Sequence, residues 1–141
     1  MMEEKTIKSL IKKAFDMLGY SYVPYSNFHV GAALLSKDGK IYDGCNIENA
    51  SFSPTNCAER TAFFKAISEG CKEFEAIAIV GGKNAKVEDY CPPCGMCRQV
   101  MAEFCKSDFK IILAKNINDY KIFTLDQILP LRFDLMDKAS H

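Results

Sequence analysis

Cys57-Ala58-Glu59-Arg60 and Pro93-Cys94-Gly95-Met96-Cys97-Arg98 are the stretches on which the reading of this chain turns. Each stands where a helix is expected to begin. The first follows Thr55-Asn56, either of which suits an N-cap. The second opens on Pro93, a favoured first-turn residue. Between them, Phe74 to Val80 is almost wholly apolar, as expected of a strand covered on both faces. Cys97 lies three residues past Cys94, on the same helix face. Two helix starts facing each other would bring Cys57, Cys94 and Cys97 around one point. Both Cys57 and Cys94 are expected in first helical turns, where the helix dipole lowers thiol pKa values.

The flanking sequence extends the same pattern. Residues 4–18 carry Ile7, Leu10, Ile11, Ala14, Phe15 and Leu18 at helical spacing, and Gly19 is a natural stop. Residues 20–27 form a loop around Pro24. Phe28 to Leu35 reads as a buried strand, Ser36-Lys37-Asp38-Gly39 as a hairpin turn, and Lys40 to Cys45 as the antiparallel partner. Residues 46–56 are a largely polar loop. The second helix is expected from Cys57 to Glu69, with Gly70 at its end. Residues 81–90 read as a loop, and the third helix runs from Pro93 to about Phe104. Strands follow at 110–114 and 121–124, a helical turn at 126–129, and a mostly polar tail beyond Phe133. This order predicts a single domain over residues 1–141, an α/β sandwich around a mixed sheet.

Composition bounds the function. Lysine plus arginine equals aspartate plus glutamate at 18 each, so no basic excess points to a polyanion partner. No nucleic-acid partner is expected. No apolar run reaches the length of a membrane span, so no membrane partner is expected either. Met1 to Lys5 opens into a charged segment without an apolar signal core, and the expected location is cytoplasmic. Seven cysteines, an odd number, argue against a disulfide framework and for metal or catalytic use of some of them.

Three thiols with one open coordination position is the arrangement of a catalytic zinc rather than a structural one. Glu59 sits two residues past Cys57, near such an ion without being a ligand, as a general acid/base acting on water there would. Arg60 is a candidate donor to the ligand sulfurs, with Arg98 a weaker one. Other readings stay open. Cys94 and Cys97 alone would make a redox pair, and Cys91 as a fourth thiol would close a structural site. Cys45, Cys71 and Cys105 read as core or half-buried residues, His29 as a packing residue, and Phe28, Phe63, Phe64 and Phe104 by default as core aromatics.

The motifs 22–35 (YVPYSNFHVGAALL), 44–50 (GCNIENA), 56–62 (NCAERTA), 93–100 (PCGMCRQV) and 128–133 (ILPLRF) occur in order. Together they closely resemble the small homotetrameric cytidine deaminases, over nearly the whole length. The C-A-E followed by P-C-x-x-C is the zinc-deaminase pattern. The resemblance implies a three-layer α/β/α sandwich around a mixed five-stranded sheet. It also implies hydrolytic deamination of cytidine and deoxycytidine in pyrimidine salvage, with one Zn²⁺ per subunit. In that frame Cys57, Cys94 and Cys97 hold zinc and Glu59 shuttles protons. Asn46 and Glu48 bond the ribose hydroxyls, and Phe28 stacks on the pyrimidine. The Ala58 N–H meets the 2-oxo group, and the Pro92 carbonyl accepts from the 4-amino group. Phe133 reaches a neighbouring subunit's site, which makes the expected active unit a homotetramer with shared sites. The alternative within the same chemistry is another cytosine nucleoside, such as blasticidin S. A non-catalytic structural zinc module is the alternative outside it.

Overall fold

A computed structural model describes residues 2–135; the end of the polar tail, from residue 136, lies outside the described residues. Helix α1 (Glu4–Asp16) forms because Ile7, Leu10, Ile11 and Ala14 fall on one buried face. It stops as an α-helix two residues before the expected end and tightens into a 3₁₀ turn over Met17–Tyr20. Such tightening is common at helix C-termini, and Leu18 stays buried through it. Strands β1 (Phe28–Ser36) and β2 (Ile41–Cys45) make the expected hairpin across Asp38-Gly39, with Leu35 opposite Ile41 and Gly31 opposite Cys45. Helix α2 (Ala58–Ser68), strand β3 (Phe74–Lys83), helix α3 (Gly95–Phe104), strands β4 (Lys110–Asn116) and β5 (Asp119–Thr124), and the short α4 (Leu125–Ile128) complete the order.

The five strands form one sheet in the order β2-β1-β3-β4-β5. Only β3 and β4 run parallel, joined through α3; the other pairs are antiparallel. β3 continues three residues beyond the expected Val80, through Gly81-Gly82-Lys83. Those residues pair with Val30, His29 and Phe28 of β1, and partner pairing overrides the poor strand preference of glycine. β5 likewise begins two residues early, because Asn116 Oδ1 accepts the Asn118 N–H at 2.8 Å and closes a tight β4–β5 turn.

Alternation along the strands divides the core into two layers. Ala33, Leu35, Ala76, Ala78, Val80, Ile112 and Ala114 meet α1 on one face. Ala32, Leu34, Ile77, Ile79, Ile111 and Leu113 meet Ala58, Ala62, Phe63 and Ala66 of α2 and Met101 of α3 on the other. The three-layer α/β/α sandwich is thus as expected. Gly44 sets how closely α2 approaches: a Cβ there would lie 2.4 Å from the Ala58 carbonyl oxygen and 2.7 Å from the Ala62 nitrogen. Of the aromatics expected in the core, Phe63 is fully buried, but Phe64 is 46 % exposed, on the outer side of α2.

Candidate active site

Helix α2 starts one residue and α3 two residues later than expected, and the cysteines themselves are the caps. Cys57 stands at the N-cap of α2 in extended conformation, and its carbonyl accepts the Thr61 N–H at 3.0 Å. Cys94 caps α3, its Sγ accepting the Cys97 N–H at 3.4 Å. Cys57 and Cys94 are therefore just outside the first turns, and Cys97 alone is inside one. The residues expected to cap α2 are used elsewhere. Asn56 exchanges two backbone bonds of 2.9 Å with Ile47, and Thr55 Oγ1 accepts the Asn49 N–H at 3.1 Å. Only the Cys94 sulfur takes an N–H of its own helix; Cys57 makes no side-chain cap bond. The two cap positions, on α2 and α3, bring two sulfurs to one place.

The three sulfurs lie within 4.8 Å of one another. Cys57 Sγ is 3.6 Å from Cys94 Sγ, and Cys94 Sγ is 3.3 Å from Cys97 Sγ. Two sulfurs on a tetrahedral zinc, with Zn–S bonds of about 2.3 Å, stand about 3.8 Å apart. The two distances that Cys94 makes are within about half an ångström of that spacing, and the donors are the type zinc prefers. No other group of three or more such ligands occurs among the described residues. Cys91 is not a member, so the closed four-thiol reading finds no support here.

The electrostatics favour thiolate at Cys57. Its thiol is lowered to about 5 by the bond from Cys97, and then by Arg60 and Cys94. Cys97, as the donor of that pair, is correspondingly pushed up. Arg60 Nη2 donates to Cys57 Sγ at 3.3 Å, as expected of a cation beside an anionic thiolate cluster. Arg98 does something else. Its Nε donates to the Pro93 carbonyl at 2.9 Å and its Nη1 to the Ile128 carbonyl at 2.7 Å. The second candidate donor thus corrects to a tie between the loop before α3 and the end of α4.

Glu59, in the first turn of α2, is 4 % exposed. Burial raises its carboxyl to about 7, helped by the Cys57 charge. A carboxylic acid that changes protonation near neutrality beside a thiolate cluster is equipped to move protons. Cys91 feels the same two charges, after burial, and is pushed up to about 12, so it is a neutral wall of the site. Gly81 makes room for it: a Cβ there would lie 2.8 Å from Cys91 Sγ and 3.2 Å from Phe28 Cε2.

The remaining candidate residues fall into two groups. Phe28, Asn46 and Glu48 lie together. Asn46 Oδ1 accepts the Val30 N–H at 2.9 Å and its Nδ2 donates to the Phe28 carbonyl at 2.8 Å. The side-chain amide thereby continues the β1–β2 ladder past its last backbone pair. Glu48 Oε1 accepts the N–H groups of Tyr25 and Ser26 at 3.0 and 3.1 Å, and Ser26 Oγ donates to Oε2. These bonds, the hydroxyl's first, hold the carboxyl below its ordinary range. Tyr25, Ser26, Glu48, Asn49, Phe52 and Thr55 line a cavity of ≈ 340 Å³, so Glu48 borders open space. Ala58 is the first residue of α2, where a backbone N–H has no partner within the helix.

Pro92 is exposed and Pro93 buried ahead of α3. Phe133 is held by its backbone, whose carbonyl accepts from Gln99 Nε2 at 3.0 Å, while the residue is 68 % exposed. Its ring is not sequestered in its own sheet. Sequence reading passed over Ser26 and the tie made by Arg98. The Y-S-N-F string offered a polar residue two before Phe28, but nothing local marked its partner 22 residues away. His29 is a packing residue as expected, its Nδ1 3.0 Å from the Leu18 carbonyl oxygen.

Residues 4–113 match the family model described as the cytidine and deoxycytidylate deaminase zinc-binding region. The chain is 52 % identical over 128 residues to a cytidine deaminase of Halalkalibacterium halodurans, covering 91 % of this chain and 94 % of that one. It is 48 % identical over 131 residues to a cytidine deaminase of Sporosarcina psychrophila, covering 93 % of each. The crystal structure of a cytidine deaminase from Burkholderia pseudomallei superposes with a TM-score of 0.81 at 44 % identity, over 89 % of this chain and 97 % of that one. The three-thiol cluster and its buried glutamate lie inside the matched region, and the chain belongs to the cytidine and deoxycytidylate deaminase zinc-binding family.

Proposed function

We propose that this protein catalyses the zinc-dependent hydrolytic deamination of cytidine and deoxycytidine to uridine and deoxyuridine, with release of ammonia. The observation that carries the reading is a buried Glu59, raised to about 7, beside three sulfurs spaced for one zinc ion. Cys57, Cys94 and Cys97 would hold the metal, which when bound supplies Lewis acidity that makes water a nucleophile near neutral pH. Glu59 accepts a proton from the attacking water and gives it to ring N3 as the oxygen bonds to C4. Glu59 then carries the proton of the new hydroxyl to the 4-amino nitrogen, and the C–N bond breaks. Arg60 offsets the negative charge that three thiolates concentrate in one place.

Phe28 stacks on the pyrimidine, the Ala58 N–H meets its 2-oxo group, and the Pro92 carbonyl accepts from the 4-amino group. Asn46 and Glu48 receive the ribose. Each Asn46 amide group keeps one hydrogen-bonding position beyond those used on Val30 and Phe28, so a sugar hydroxyl can join without displacing them. The Glu48 carboxylate repels a phosphate brought near it, which favours a free nucleoside over a nucleotide or a nucleic acid. None of the helices among the described residues is long and apolar enough to cross a membrane, consistent with action on a dissolved substrate.

The active unit is a homotetramer in which Phe133 covers a neighbour's site. Its exposure and its tethered backbone support this reading. Mixing Glu59→Gln subunits with Phe133→Ala subunits tests it. Activity above the sum of the parents is expected after subunit exchange, and no rise overturns the shared site. Ultraviolet monitoring of cytidine, deoxycytidine, CMP and blasticidin S with the purified protein tests the substrate. Turnover of the first two alone is expected. Equal kcat/KM on CMP, or turnover of blasticidin S in their place, overturns the assignment.

A further inference from the structure

We propose that Ser26 is a positioning residue whose hydroxyl sets the sugar-facing carboxylate of Glu48 and the base-facing ring of Phe28 relative to each other. The proposal rests on the roles given to Glu48 and Phe28 above. Ser26 Oγ stands between the two. It accepts the Phe28 backbone N–H at 3.0 Å and donates to Glu48 Oε2. The direction of both bonds follows from chemistry alone. A backbone N–H can only donate, so the oxygen accepts from Phe28 and keeps its single proton for the carboxylate.

The surrounding bonds make this a closed frame. Glu48 Oε1 takes the N–H groups of Tyr25 and Ser26. The Phe28 carbonyl is held by Asn46 and its N–H by Ser26, which in turn bonds Glu48. The two loops run side by side, with the Tyr22 N–H on the Asn46 carbonyl at 3.0 Å and the Glu48 N–H on the Tyr22 carbonyl at 2.8 Å. Asn27, between Ser26 and Phe28, has a φ of 57°. That turn brings the Phe28 N–H back toward the Ser26 side chain.

Ser26 and Phe28 are exposed and Glu48 is half-buried, so water competes for these bonds. Three donors converging on one carboxylate resist that competition better than one, because the bonds are charge-assisted and share an acceptor. Without the hydroxyl, Glu48 keeps its two backbone donors but Oε2 is free to turn, and the Phe28 N–H loses its acceptor. The cost falls on binding a nucleoside whose base and sugar must both be met. Proton transfer at Glu59 is untouched.

Steady-state kinetics on zinc-loaded protein test this with Ser26→Ala, Ser26→Thr, Glu48→Gln and the Ser26→Ala/Glu48→Gln double variant. Ser26→Ala is expected to raise the KM for cytidine about tenfold, with kcat and zinc content close to wild type. Ser26→Thr, which keeps the hydroxyl, restores most of the KM. In the double variant the two penalties are less than multiplicative, since both single variants weaken the same Ser26–Glu48 bond while the Phe28 N–H contact is lost only with Ser26. A normal KM in Ser26→Ala, while Glu48→Gln binds poorly, overturns the role of Ser26 and leaves that of Glu48 standing. Penalties that multiply in the double variant also overturn it. So does a fall in kcat and thermal stability at unchanged KM, the mark of a merely structural residue. A normal KM in Glu48→Gln removes the sugar contact itself, and this proposal with it.

Discussion

The two faces of the sheet are built from similar apolar strands and do different things. On the α1 face, Ile7, Leu10, Ile11 and Ala14 close over small residues such as Ala33, Ala76, Ala78 and Ala114, and the buried cluster is apolar throughout. The α2/α3 face has an equally dense cluster around Phe63, Met101 and Phe109. At the ends of its helices it also buries Glu59 and gathers three thiols. A carboxyl raised to about 7 by burial is poorly solvated when ionised. One face is therefore a purely apolar support, and the other tolerates a costly group because the chemistry needs it.

Four experiments separate or merge the two faces. The largest effect is expected from Glu59→Gln: zinc content unchanged, kcat lower by at least about 10²–10⁴-fold, and stability equal to wild type or higher. Near-normal kcat in the zinc-loaded variant would place the proton transfer elsewhere. Next, Leu10→Ala on the opposite face is expected to cost about 2–5 kcal/mol in denaturant unfolding, with kcat/KM and zinc content preserved under folding conditions. A parallel loss of activity in the folded protein would show that the faces are coupled through the sheet.

The third concerns the edge where the faces meet. On β2, Asp43 receives Lys65 from α2 at 2.7 Å and Lys13 from α1 at 3.7 Å. Burial pushes its carboxyl up, but the bonded Lys65 ammonium and then Lys13 outweigh this and hold it below the usual range. A lowered carboxylate binds its proton less tightly folded than unfolded, so its contribution is full above the unfolded value of about 3.9. It is lost as pH falls through the folded value. Asp43→Asn should therefore cost up to about 1 kcal/mol at pH 7, a cost that shrinks as pH falls below about 4. A cost that persists in acid would mean the effect is not electrostatic. The smallest effect belongs to Cys91→Ser, which should keep its zinc and its activity by metal analysis and assay. Loss of zinc there, with zinc kept in Cys57→Ser, would reverse the ligand assignment.

The parts of this molecule legible in its sequence are those written in short range. The α1 face repeats every three or four residues, Asp38-Gly39 announces its hairpin, and the run 74–80 announces a strand covered on both sides. The three thiols and Glu59 were legible because cysteine at such spacing has few other uses. What escaped depends on partners far along the chain. β3 runs on through Gly81-Gly82 because Phe28–Val30 waits beside it. Asn56 and Thr55 look like caps but are claimed by the loop that starts at Asn46, which leaves Cys57 at the helix start. Arg98 looks like a donor to the sulfurs, yet its reach ends on carbonyls at Pro93 and Ile128.

The division of the thiols between two helix caps has a consequence for synthesis. Cys57 and Cys94 are separated by 37 residues, and at roughly 5–20 residues per second the ribosome takes about 2–7 s to make that span. Cys57 is translated well before its partners, and its lowered pKa depends on Cys97 and Arg60 standing beside it. Until α3 has been made, Cys57 lacks the other two thiols of the cluster, whatever Arg60 on its own helix contributes. A three-thiol site is thus complete only when the chain has been made as far as Cys97, after α1, the β1–β2 hairpin, α2 and β3.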